Sequence, residues 1–408
     1  MKRMFIILLI ALFAGCEKDY SAITNPKTGG KEADAPISSY AIDWKAAADS
    51  ASTAFIERFF CSEPRNGENK KVFSYSEYNR RGDNGSCYWQ QAHAMAVMVE
   101  YYLRHKESDP TLAATLEGYF DAWFKARGNN YEWTSSYLGT YGFGCNYTDD
   151  TIWIAIALMQ LHEATGVQKY YDAAKSTWDE CVRPRFALNK YGWLPWRWDY
   201  PDANECTNGP GAILAAWLAR YAKEAGDEAQ YRQYLEEAYK CFDQNIDVMS
   251  DKGTLGKVPL SYTQGTCMEA GRLIWHLTGD EGYLRKGILA ARGQMSSEMC
   301  EVYENRLVMR NEGTDNNNCV FHSVFYHWAA RMATDRDIDK IDSSIRAELK
   351  KFVNLHATYY WTRGIDKTNW NDSYFSTRVY QSSPVGFLGS YAGGAQAIES
   401  MCLIEKDK

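Results

Sequence analysis

One turn recurs along this chain and limits what it can fold into. Ala164-Thr165-Gly166 is followed by Tyr170-Tyr171, Ala225-Gly226-Asp227 by Tyr231, and Thr278-Gly279-Asp280 by Tyr283. In each, Gly suits the left-handed C-cap of one helix, the next polar residue suits the N-cap of another, and Tyr can pack back on the hairpin. The three glycines stand 60 and 53 residues apart, room for a helical hairpin plus a long loop. Asp109-Pro110 and Thr334-Asp335 are degenerate versions of the same turn. Helical periodicity without strand alternation predicts helices over 40–60, 88–105, 110–127, 150–165, 168–184, 207–225, 228–245, 264–278, 281–297, 318–333, 338–361 and 385–403. Repeated hairpins with long loops on one side make either an open solenoid or a closed toroid. Six hairpins favour closure, so the expected fold is all-α, an (α/α)6 barrel. No linker composition interrupts residues 39–405, which read as one domain.

Within that frame, Asn146-Tyr147-Thr148-Asp149-Asp150-Thr151-Ile152-Trp153 puts two adjacent carboxylates at the mouth of an almost wholly apolar helix that runs to Leu161. Thr148 or Asp149 is expected to cap it, and its apolar circumference predicts burial on most sides. Neighbouring carboxylates in a turn can lie about 5 Å apart, the separation that a retaining glycosidase needs between nucleophile and acid/base. So close, they do not ionise independently: one stays anionic and the other protonated near neutrality. The surrounding loops are rich in aromatics. They comprise Tyr131 to Gly144, Tyr191-Gly-Trp193-Leu-Pro-Trp196-Arg-Trp198-Asp-Tyr200, the Asn-rich Asn311 to Asn318, and Trp370 to Pro384. Trp193, Trp196 and Trp198 are a group of candidate sugar platforms, since flat rings cover the apolar face of a sugar. Arg197 and Asp199 could clamp hydroxyls or pair with each other. Asn208 and Gln264, at helix starts, are candidate amide ligands for sugar hydroxyls, with capping or loop bracing as the alternative. His93 lies on an apolar helix, where a core role competes with a ligand role.

Composition narrows the partners. With a net charge of −7, the chain lacks the positive surface that nucleic acid requires. Its 408 residues include 14 Trp and 29 Tyr, many for this length. The N-terminus reads as a targeting segment over residues 1–15: basic Met1-Lys2-Arg3, then an apolar run from Met4 to Phe13 too short to span a bilayer. Leu12-Phe13-Ala14-Gly15-Cys16 resembles a bacterial lipobox, with Cys16 as the acylated residue, and Glu17-Lys18-Asp19 resembles a surface-export signal of Bacteroidetes type. Residues 16–38 then form a tether. The lipid is the expected membrane contact and the outer membrane the expected location, at the cell surface or on the periplasmic face. Ten further cysteines are dispersed without CxxC pairs; they read as small buried hydrophobes with one or two disulfides, and no metal site or cofactor is called for.

Several blocks resemble, in order and spacing, those of glycoside hydrolase family 76, the endo-α-1,6-mannanases. Tyr147 to Trp153 is similar to the family's Asp-Asp signature, and Tyr88-Trp89-Gln90-Gln91-Ala92-His93 resembles its Trp-x-x-Ala segment. Tyr191 to Trp198 with Asn204-Glu205-Cys206-Thr207-Asn208-Gly209 resembles its Gly-Gly-x-x-Trp block and Asn-rich helix start, and Tyr262-Thr263-Gln264-Gly265 its Tyr-Asn-Gln-Gly motif. Phe321-His322-Ser323 stands where the family usually has Phe-Lys-Gly, and Thr263 stands for Asn, departures that bear on subsites rather than on the intact pair.

The resemblance spans nearly all of residues 39–405 and implies the same barrel. It also implies Asp149 as nucleophile, Asp150 as acid/base, and a retaining cleavage of α-1,6-linked mannan. Tyr147, Trp193, Trp196, Trp198, Asn208, Gln264 and His93 become the expected substrate contacts of a monomeric enzyme. Two rivals stand beside this reading: a barrel glycosidase of different linkage, and a non-catalytic glycan-binding lipoprotein, which would have no need of adjacent aspartates.

Overall fold

The computed structural model describes residues 42–61, 72–75, 88–130, 137–315, 317–369, 373–383 and 386–407. Cys16, the signal segment, the tether and parts of the aromatic loops, including Trp133 and Trp370, lie outside the described residues. Twelve α-helices occur among the described residues. The first six are α1 (Trp44–Phe59), α2 (Trp89–His105), α3 (Pro110–Lys125), α4 (Thr148–Thr165), α5 (Gln168–Ser176) and α6 (Glu205–Glu224). Then come α7 (Glu228–Asp247), α8 (Ser261–Thr278), α9 (Glu281–Gln294), α10 (Phe321–Thr334), α11 (Ile345–Thr362) and α12 (Leu388–Lys406). All lie in the compact unit formed by Ile37–Tyr303 and Leu307–Lys408.

The even-numbered helices form a closed ring: α2 packs on α4, α4 on α6, α6 on α8, α8 on α10, α10 on α12, and α12 back on α2. Each odd-numbered helix backs onto that ring, α3 on α2, α5 on α4, α7 on α6, α9 on α8, α11 on α10 and α12, and α1 on α12. This is the (α/α)6 barrel. Residue patterning decides which helix takes which layer. The outer helix α3 buries only Ala113, Leu116, Phe120 and Trp123, one stripe at helical spacing. The inner α4 buries every residue from Thr151 to Leu161, and α12 buries all but one of Leu388 to Ile404, because neighbours surround them.

The recurrent turn behaves as its residues dictate. Gly166, Gly226 and Gly279 adopt φ of 72°, 74° and 78° with open space where a Cβ would stand, so backbone conformation rather than crowding selects glycine. Asp227 accepts from the Gln230 amide and Asp280 from the Gly282 amide, each capping the next helix; at Gly166 the following residue is Val167, which has no capping group. Elsewhere boundaries moved. The expected helix 168–184 ends at Ser176 and continues as a wide π-helical turn, Thr177–Val182, then a 3-10 turn, Arg183–Leu188, where Pro184 supplies no amide to continue an α-helix. The expected 338–361 begins instead at Ile345, because the Asp342 carboxylate takes the Ser344 and Ile345 amides and starts a new helix. Cys145, Cys181, Cys206, Cys241, Cys267, Cys300, Cys319 and Cys402 are free thiols, and all but Cys206 are buried.

Candidate active site

The N-termini of the inner helices meet at one end of the barrel and bring four rings together. Trp89 opens α2, Trp153 stands near the start of α4, Tyr262 starts α8 and Phe321 starts α10. Trp89 lies 6.5 Å from Trp153, 6.2 Å from Tyr262 and 6.0 Å from Phe321, and Tyr262 stacks on Phe321 at 4.3 Å. The Asn317 side chain accepts from Trp89 Nε1 at 3.1 Å and from Gln90 Nε2 at 2.8 Å, tying the Asn-rich loop to this floor.

Asp149 and Asp150 sit in the first turn of α4, at the same end. The cap differs from expectation: Tyr147 is the N-cap, without a side-chain bond, and Thr148 is already helical. The Thr148 hydroxyl is engaged instead by Arg185 Nη1 at 2.9 Å, while Arg185 Nη2 donates to the Cys145 carbonyl at 2.6 Å. A buried guanidinium therefore fastens the segment that leads into the pair. Asp149 Oδ1 accepts from the Asp150 amide at 3.0 Å and Oδ2 from Trp196 Nε1 at 3.1 Å. Burial pushes the Asp149 carboxyl up to about 7, against the opposing pull of these donors and of Arg185. Donors on both oxygens and a helix N-terminus favour the anion on Asp149 once the pair holds a single proton.

The hairpin of Pro195–Arg197 with Tyr200–Ala203 forms the adjacent wall. It is docked on α4 by an antiparallel bridge between Tyr147 and Arg197 and by the Trp198 amide donating to the Asn146 carbonyl at 3.4 Å. The three hairpin tryptophans take different tasks. Trp196 tilts on Tyr147 at 5.2 Å and donates to Asp149, so Tyr147 and Trp196 do lie beside the pair. Trp198, 38% exposed, stacks on Tyr137 at 4.9 Å and donates to Asn146 Oδ1. Trp193 pairs with Tyr191 at 4.9 Å, further along the loop. Arg197 and Asp199 pair with each other at 2.6 Å.

Two expected ligands, Asn208 and Gln264, are corrected. Asn208 is fully buried; its Oδ1 accepts from the Leu194 amide, and its Nδ2 donates to the carbonyls of Leu194 and Asn204. Gln264 is equally buried, accepting from the Leu255 amide and donating to the carbonyls of Gly253 and Ala290. Both amides brace loops, and no donor is left for a sugar. His93 lies edge-on to the Trp89 and Trp153 rings at 5.2 and 4.6 Å and lines a small cavity of about 10 Å³ with Gln160, His327 and Gln396. Burial lowers its pKa to about 3. A test of the bracing role follows: Gln264→Ala strands two carbonyls and an amide in the interior, and should lower stability by about 2–4 kcal/mol in urea unfolding while KM of the folded protein stays unchanged.

Residue-type reasoning passed over several groups. Arg185 and the half-buried Glu205 are two, and burial raises the pKa of Glu205. Glu312 is a third: its carboxylate accepts from the Ser261 amide at 2.6 Å and from the Ser261 hydroxyl, stands 3.4 Å from His322 Nε2, and is pushed up to about 7 by burial.

A family model described as glycosyl hydrolase family 76 matches residues 43–402. The chain belongs to that family. A comparison with curated protein sequences found no match. Among solved structures, this family 76 glycoside hydrolase is similar to the GH76A alpha-1,6-mannanase from Salegentibacter sp. HEL1_6, with 21% identity, TM-score 0.70, and coverage of 89% of this chain and 100% of that one. An inactive variant of that mannanase, with two consecutive aspartates replaced by alanine, was solved in complex with alpha-1,6-mannotetrose. The family 76 mannosidase Bt3792 from Bacteroides thetaiotaomicron VPI-5482 is 16% identical, with TM-score 0.64 over 90% of this chain and 99% of its own. Dfg5 from Chaetomium thermophilum, in complex with glucosamine, is 16% identical with TM-score 0.62 over 90% and 93%. At these identities the likeness carries the fold.

Proposed function

We propose that this glycoside hydrolase is a retaining endo-α-1,6-mannanase. The observation that carries the reading is the adjacent pair Asp149–Asp150 at the mouth of an inner barrel helix, with donors on both oxygens of Asp149 and aromatic rings around it. The mannan complex of the Salegentibacter enzyme supports the substrate class.

In this reading an ionised Asp149 oxygen bonds to the anomeric carbon as the glycosidic C–O bond breaks, and the Asp150 proton passes to the leaving oxygen. Water then attacks the same carbon, Asp150 takes its proton, and Asp149 leaves as carboxylate; the transition states are oxocarbenium-like. Residues 39–405 form the catalytic domain, and lipid on Cys16 holds it at the outer membrane.

The test is incubation with debranched α-1,6-mannan, with chromatography of the products and proton NMR at early times. A ladder of oligosaccharides with the α anomer formed first is expected. Release of mannose alone would refute endo action, an initial β anomer would refute retention, and an unchanged polymer would refute the substrate.

A further inference from the structure

We propose that Trp196 is a positioning residue for the nucleophile, its indole N–H fixing the Asp149 carboxylate in the orientation of attack. This rests on the glycosidase reading of Asp149 and Asp150. The geometry separates this role from that of a sugar platform. The Asp150 amide alone would hold only Asp149 Oδ1 at 3.0 Å and leave the carboxylate free to turn; the Trp196 contact to Oδ2 at 3.1 Å removes that freedom.

The donor is itself fixed from two sides. Two residues before it, both backbone groups of Leu194 are clamped by Asn208 of α6, and one residue after it Arg197 bridges to Tyr147 beside α4. Its ring rests on Tyr147. An indole N–H donates and never accepts, and it does not titrate in the working range. It therefore favours the carboxylate anion at every pH, which a histidine or lysine in its place would not.

The charged and titratable groups around Asp149 come from several elements. They are Asp150 on its own helix, Arg185 from the turn after α5, Tyr147 and Arg197 on the hairpin side, Glu205 and Cys206 of α6, and Tyr262 of α8. None of them changes when residue 196 does, so a moved pH profile would report the lost donor.

The experiment uses the full-length protein on α-1,6-mannan, with Trp196→Phe and, as an isostere of the same ring volume without the N–H, 3-benzothienylalanine at position 196. Both variants are expected to lose about 10- to 100-fold in kcat, the range for a hydrogen bond to a charged group. KM should stay within about threefold, and the acid limb of kcat/KM should move up by about one pH unit. An unchanged kcat with a raised KM, or a loss of kcat with the acid limb unmoved, would overturn the positioning role. If Asp149→Asn kept the wild-type rate in the same assay, the glycosidase reading beneath it would fall instead.

Discussion

Asp149→Asn is expected to lower kcat/KM on α-1,6-mannan by about four orders of magnitude or more, while raising the melting temperature of the protein at pH 8. The first half follows from the proposed role of Asp149 as the attacking carboxylate, which a neutral amide does not take over. The second follows from linkage. Burial lifts the Asp149 carboxyl to about 7 in the folded chain, above its usual value near 4. A raised carboxyl contributes most stability below its unfolded pKa and loses it as pH rises toward the folded one. Above neutrality the native protein therefore carries a destabilising buried charge, which asparagine of the same shape relieves by about 1–3 kcal/mol, or a few degrees in Tm. At pH 4.5, where the native carboxyl is protonated, the two proteins should melt together; a gain of equal size at both pH values would show that ionisation is not its source.

Asp150→Asn separates the roles within the pair. It should cut hydrolysis of mannan severely, yet retain the first step on an aryl mannoside whose leaving group departs without a proton, with aryl release in a single burst. If Asp149→Asn gave that burst and Asp150→Asn did not, the order within the pair would be reversed.

Why the fold was legible and the site only partly so is a matter of contact range. Twelve helices and their pairing could be read because an outer helix such as α3 carries one apolar stripe, an inner one such as α4 is apolar nearly all round, and the turns at Gly226 and Gly279 carry their own caps. The Asp pair was legible because it stood against such a helix. Its environment was not, because it is assembled from afar. Trp196 reaches Asp149 across 47 residues and Arg185 reaches Thr148 across 37, and no local pattern encodes either contact. The three tryptophans of the hairpin are equivalent in sequence and become distinct only when the register of the hairpin on Tyr147 decides which indole points where. Asn208 and Gln264 show the reverse problem. An amide at a helix start can face a ligand or brace a loop with the same residue type, and only burial separates the two.

The most destabilising single change expected in the barrel is Arg104→Met, at the seam where α12 closes on α2. The Arg104 guanidinium is bidentate to Glu399, 2.7 Å from Oε2 and 2.9 Å from Oε1, with side-chain exposures of only 6% and 1%. Ser52 of α1 donates to the same carboxylate at 2.5 Å, and Arg104 Nη1 also holds Asp49 at 2.5 Å. Three helices thus converge on one buried pair. Removing the cation leaves an uncompensated carboxylate, a loss of about 3–5 kcal/mol in urea unfolding. Burial already raises the Glu399 pKa against the pull of Arg104; without the cation the group must be protonated to stay inside. By the sign of that linkage, the deficit should be smallest near pH 5 and grow as pH rises toward 8. Arg104→Met combined with Glu399→Met leaves no buried charge and should recover much of the loss. Arg104 lies 15 residues beyond Trp89 in α2, about 22 Å along the axis from the end that carries the candidate site, so kcat per folded molecule should not change. If the single and double variants lose the same stability at pH 8, the seam is held by packing and the ion pair is incidental.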